Sequence, residues 1–106
     1  MLVVGVTYKK DIKDLRKSPA LDLIEVLQKK GAKVSYLDPL IPYLKLGRVD
    51  LRAIKPAPGV LRKFDCAVIA TDHSAVDYKS LLKNCILIFD ARNVYKGAGA
   101  KIVSRL

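Results

Sequence analysis

The residues best suited to chemistry crowd one stretch near the start of the chain. Between Gly5 and Ala20 lie Lys9, Lys10, Lys13, Arg16 and Lys17, and they run directly into Ser18-Pro19, a helix-start signal. Fixed cations next to the free N–H groups of a helix N-terminus are what a phosphate or diphosphate needs. Arg16 has the further property that a guanidinium can hold two oxygens through parallel hydrogen bonds, which the ammonium of Lys9 cannot. The plainer alternative is a solvated basic loop in which Asp11 and Asp14 make local ion pairs of little energetic weight. Gly5 is the one glycine in the stretch, so this is not a GxGxxG fingerprint, and binding of NAD by this segment alone is disfavoured.

Other reactive side chains are few. Cys66 and Cys85 lie in apolar runs without CxxC or histidine spacing, and both read as buried strand residues with no role as a nucleophile or metal ligand. His73 follows an apolar run and sits in a polar loop. It reads as a pH-sensitive ligand contact or, preferably, as a loop histidine holding backbone groups.

The elements that must position these residues are legible from pattern. The chain has 106 residues and is 51% hydrophobic, enough for one cored domain spanning residues 1–106. No apolar run nears the ~20 residues of a membrane helix, and the start lacks a basic n-region, so a cytoplasmic location is expected. Leu2–Thr7, Val34–Asp38, Asp65–Thr71 and Ile86–Ala91 read as strands, with Lys101–Val103 as a candidate fifth. Ala20, Leu23, Ile24 and Leu27 form the apolar stripe of a helix that stops at Gly31, and Ser74–Lys83 reads as a second helix. Leu40–Leu61, broken by Pro42, Gly47, Pro56, Pro58 and Gly59, is expected to be an irregular connection with one short helical turn. This order predicts an α/β fold: a three-layer, Rossmann-like domain on a mainly parallel sheet of about five strands. Ligands on such sheets bind beyond the carboxyl ends of the strands, so the loops starting at Tyr8, Asp38, Thr71 and Asp90 are the ones to inspect.

The formal net charge is +10, from 20 Lys and Arg against 10 Asp and Glu. The excess favours an acidic partner. At 7% aromatic, with no aromatic–basic alternation, a single-stranded nucleic-acid platform is disfavoured.

Taken in order, Gly5-x-x-Tyr8-Lys9-x-Asp11-x-x-Asp14-x-Arg16-x-Ser18-Pro19-Ala20, Tyr36-Leu37-Asp38-Pro39, Thr71-Asp72-His73-Ser74 and Asp90-Ala91-Arg92-Asn93-Val94 resemble the carboxy-terminal, UDP-binding domain of the UDP-glucose/GDP-mannose dehydrogenase family. The form of the last two motifs resembles the UDP-N-acetylglucosamine or UDP-N-acetylmannosamine branch more than the UDP-glucose enzymes, which remain the alternative along with GDP-mannose enzymes and a non-catalytic anion-binding or interaction module. Thr7 stands where alanine is usual, and Lys17 where glutamate is.

The resemblance implies an oxidoreductase that converts C6 of a nucleotide sugar to a carboxylate in two NAD-dependent steps, as in polysaccharide biosynthesis. It implies that NAD is bound mainly by an amino-terminal domain absent here, that a central dimerising region carries the catalytic residues, and that the whole enzyme is a homo-oligomer. The partners are then a UDP-sugar and those missing domains, with no nucleic acid and no membrane. No catalytic residue falls in this chain, and the 106 residues alone are expected to be inactive. Carried over, Arg16, Lys9 and Tyr8 become the substrate-contacting residues, Tyr8 being equally a core or rim residue. Arg92 and Asn93 would line the cleft toward the missing domains, or Asn93 simply takes a turn. Asp38 stands where a ribose contact is conceivable, but Pro39 favours a strand-ending turn.

Overall fold

Leu2, Val3 and Val4 are all fully buried, as a strand covered on both faces requires. They form β1 (Leu2–Val4), an interior strand of a sheet completed by β2 (Ser35–Leu37), β5 (Ala67–Ile69), β6 (Ile88–Asp90) and β7 (Val103–Arg105). The order is β2-β1-β5-β6-β7, and every pairing is parallel. The computed structural model describes residues 1–15, 18–47, 49–95 and 103–105. Arg16, the foremost candidate for a substrate contact, lies outside the described residues, as do Lys17, Lys101 and Ile102.

The pleat divides the core in two. Leu2 and Val4 face a cluster with Leu37, Leu61, Ile69, Leu81 and Ile88, covered by α2 (Pro58–Leu61) and α3 (Tyr78–Asn84). Val3 faces the opposite cluster with Ala20, Ile24, Val34 and Tyr36, covered by α1 (Pro19–Lys29). The fold is therefore the expected three-layer α/β arrangement.

The helix α1 ends as its sequence requires. Gly31, at φ 87°, donates to the Gln28 carbonyl while the Ala32 N–H reaches back to Leu27, the paired bonds of a Schellman stop. Its start differs in one respect. Ser18 occupies the N-cap position but caps no helix N–H; its hydroxyl instead donates to the Val6 carbonyl at 2.6 Å.

Residues 40–61 are more regular than the irregular connection expected of them. They contain an antiparallel hairpin, β3 (Tyr43–Leu46) and β4 (Val49–Arg52), before the short helix α2. Leu44 and Val49 are buried in the α1-side core, and Ile54 N–H donates to the Tyr36 carbonyl, so the hairpin also shields the β2 edge. The strands are also shorter than the apolar runs: β1 stops where Gly5 turns to φ 83°, and Ile86 and Leu87 precede β6 as exposed residues. The helix α3 begins four residues later than Ser74, because Asp77 caps it by accepting from Ser80 N–H, while the Ser74 N–H is engaged elsewhere. Neither cysteine is in a strand. Cys85 is buried at the C-cap of α3 and Cys66 is half-buried just before β5; burial pushes both thiols up, away from nucleophilic character.

Candidate functional site

The sheet changes direction at β1: α1 leads outward to β2 on one face, and the chain returns on the other face to β5 on the opposite side of β1. At such a switch point the loops leaving two adjacent strands diverge and open a crevice. Here those loops are the segments after β1 and after β5, and they are bonded together.

The joint is polar and buried. Gly5 lies against Thr71, and the Thr71 hydroxyl donates to the Thr7 carbonyl at 2.7 Å. Asp38, at the end of β2, accepts from the N–H groups of Val6 and Leu40, each at 2.8 Å. The fully buried ring of His73 closes the set: Nε2 is 3.0 Å from Asp38 Oδ2 and 2.9 Å from the Thr7 hydroxyl. Its Nδ1 accepts the Asp11 N–H at 2.9 Å, which places the ring proton on Nε2. Asp38 therefore closes a turn and a network, and both oxygens are used by protein groups. His73 has the backbone-holding role preferred from sequence. Thr7, noted there only as a departure from alanine, supplies one of its partners; the signal available was a hydroxyl in an otherwise apolar strand end.

Above this joint the loop rises into solvent. Tyr8, Lys9, Lys10, Asp11, Ile12 and Lys13 are all exposed. Tyr8 N–H bonds to the Asp14 carbonyl at 2.7 Å, closing the loop on itself, and the Lys9 ammonium lies 5.6 Å from the centre of the Tyr8 ring. Lys10 pairs with Asp72 at 3.5 Å. Asp11 is clamped by Ser74, whose N–H and hydroxyl donate to its two carboxylate oxygens at 2.8 and 2.6 Å. Those bonds hold the Asp11 carboxyl below its ordinary range. Asp11, read in the solvated-loop alternative as part of a local ion pair, is thus held by a clamp across the two loops.

At the end of β6, Asp90 accepts from the N–H groups of Arg92, Val94 and Tyr95, shaping a turn in which Asn93 sits at φ 55°. Asparagine tolerates that conformation, so its residue type is accounted for by the turn. Arg92 is exposed and shares a groove of about 430 Å³ with Pro19 and Ala20 at the start of α1. Tyr8, Lys9, Arg92 and Asn93 therefore all lie at the carboxyl edge of the sheet. No group of three or more histidine, cysteine or acidic residues suited to a metal occurs among the described residues.

NAD does not fit this edge in the manner of a dinucleotide fold. The glycine after a first Rossmann strand normally leaves room for pyrophosphate, but the room at Gly5 is taken by Thr71.

Residues 2–97 match the family model described as UDP-glucose/GDP-mannose dehydrogenase family, UDP binding domain. The chain belongs to this family. It is 30% identical over 115 residues to the UDP-N-acetyl-D-mannosamine dehydrogenase of Methanococcus maripaludis strain C7, an alignment covering 94% of this chain and 25% of that one. It is 33% identical over 108 residues to the UDP-glucose 6-dehydrogenase of Rhizobium meliloti, covering 89% and 23%. The solved UDP-D-ManNAc dehydrogenase of Pyrococcus horikoshii superposes with a TM-score of 0.71 at 29% identity, over 98% of this chain and 24% of that one. The chain thus spans about a quarter of the length of the dehydrogenases it matches.

Proposed function

We propose that residues 1–106 form a single domain that holds the nucleotide part of a UDP-sugar within a longer, NAD-dependent 6-dehydrogenase. The observation that carries the reading is the family match over a chain whose cationic β1–α1 loop stands at the sheet's carboxyl edge beside the switch point. Arg16 is assigned to the diphosphate or sugar oxygens through paired hydrogen bonds, with Lys9 adding charge. Tyr8 is assigned to pack on the ligand, and Arg92 and Asn93 to line the cleft from β6. The exposed Tyr8 and Ile12 suit a surface that the rest of the enzyme covers.

NAD, held by a preceding domain, would accept the hydrides in the two-step oxidation of C6. Burial pushes both thiols up and Thr71 fills the room at Gly5, which supports the reading that the domain relies on the rest of the enzyme for turnover. We assign the substrate to the UDP-N-acetylhexosamine class, which includes the substrate named for the M. maripaludis and P. horikoshii relatives. UDP-glucose, named for the R. meliloti relative, is the second reading. The whole enzyme is proposed to be a cytoplasmic homo-oligomer.

Calorimetry of the intact enzyme with UDP, UDP-sugars and a short DNA duplex tests this. A nucleotide-sugar pocket prefers uridine over other nucleosides, whereas a general anion-binding module binds DNA with a steep salt dependence and no base preference. Arg16→Ala in the intact enzyme should weaken UDP-sugar binding with little loss of stability; unchanged affinity would show the site misplaced.

A further inference from the structure

We infer that His73, together with Ser74, is a positioning residue for nucleotide-sugar binding: it fixes Asp11, and through Asp11 the shape of the cationic loop. The inference rests on the reading of that loop as the diphosphate seat.

Six consecutive residues, Tyr8 to Lys13, are exposed, so burial does little to fix their path. The loop's own bond from Tyr8 N–H to the Asp14 carbonyl closes it, and Asp11 ties its apex to the rest of the domain. This residue holds φ 58°, a left-handed conformation that aspartate tolerates better than most side chains, and further bonds lock it there. Those bonds come from the loop after β5: the Asp11 N–H ends on His73 Nδ1, and the carboxylate on Ser74 N–H and hydroxyl.

The imidazole is anchored in turn to the ends of the other strands. Its Nε2 meets Asp38 after β2 and Thr7 after β1, and no part of it reaches solvent. One ring therefore ties three strand ends to the apex of the loop that carries Lys9 and Lys10. An apolar side chain of similar volume would fill the space without supplying an acceptor for Asp11. A side chain bonding only to Asp38 would hold the strand ends and release the loop.

That difference gives the test. Asparagine places an oxygen where Nδ1 sits, keeping the acceptor for Asp11; glutamine reaches the Nε2 position and keeps the link to Asp38 only. In the intact enzyme, His73→Asn and His73→Gln should both lower thermal stability, since each cuts the buried network. Only His73→Gln should raise the Kd for UDP and the KM for UDP-sugar, by about tenfold, while kcat holds. It alone should also speed hydrogen exchange of the segment from Tyr8 to Asp14. Should His73→Gln fail to fold, Ser74→Ala at an exposed position serves: it should weaken UDP binding several-fold and loosen the same segment. Equal affinity in wild type and His73→Gln, or in wild type and Ser74→Ala, would overturn the inference, as would an Asn variant as weak as the Gln variant. A wild-type enzyme that fails to bind UDP would instead overturn the reading of the loop.

Discussion

Gly5 and Thr71 approach so closely that a Cβ on Gly5 would lie 2.2 Å from the Thr71 carbonyl oxygen and 2.7 Å from its Cβ. Backbone atoms cannot yield as a flexible side-chain tip can, and the φ of 83° at Gly5 penalises any side chain independently. The loops after β1 and β5 can meet only because this position is glycine. Gly5→Ala should therefore cost on the order of 2–4 kcal/mol in chemical denaturation. A loss below about 0.5 kcal/mol would mean the two loops are not held in this contact.

Asp38 supports three donors: Val6 N–H, Leu40 N–H and His73 Nε2. Asp38→Asn replaces one oxygen with an NH2 group, setting a donor against a donor in either amide orientation. We expect about 2–3 kcal/mol of destabilisation, the scale of lost charge-assisted bonds in a buried place. Urea melts of the two proteins decide it, and superimposable curves would show that the carboxylate is dispensable.

The Asp11 clamp predicts how stability responds to acid. Ser74 holds the folded-state carboxyl below its ordinary value of 3.8. A depressed folded pKa contributes stability that is present in full above the unfolded value and is lost as pH falls through the folded one. Wild type should thus lose stability below about pH 4 with an increment that Ser74→Ala lacks. Denaturation midpoints at pH 6 and pH 3 measure it: the gap between the proteins should narrow in acid, and a constant gap would contradict the clamp.

The parts of the fold legible in the sequence were those set by local rules. The stripe Ala20, Leu23, Ile24 and Leu27 with Gly31 behind it marks α1 because helix period and stop are short-range signals, and the four apolar runs mark the strands of the sheet. The hairpin from Tyr43 to Arg52 escaped because Pro42, Gly47 and Pro56 dominate the local pattern; its strands are fixed by burial of Leu44 and Val49 against α1, which is tertiary. Strand ends were overestimated for the same reason, since apolar runs continue into exposed residues such as Ile86 and Leu87.

At the site, the four carboxyl-end loops were predictable from topology alone, and Lys9 and Arg92 stand there. The His73 network was not, because it depends on partners 35 and 66 positions away, Asp38 and Thr7. No spacing rule pairs them. Ser18 illustrates the converse: its hydroxyl has the right place for an N-cap but is drawn to Val6 across the loop.

On the proposed reading, the exposed loop after β1 seats the diphosphate of a UDP-sugar. The most direct measurement is an amide NMR titration of the ¹⁵N-labelled chain with UDP, sensitive even to binding in the millimolar range. We predict shifts concentrated from Tyr8 to Lys13 and at Arg92 and Asn93, with smaller ones for the same concentration of a non-uridine nucleotide. Shifts confined to the amino ends of the strands, or none at saturating UDP, would show that the loop is not the diphosphate seat.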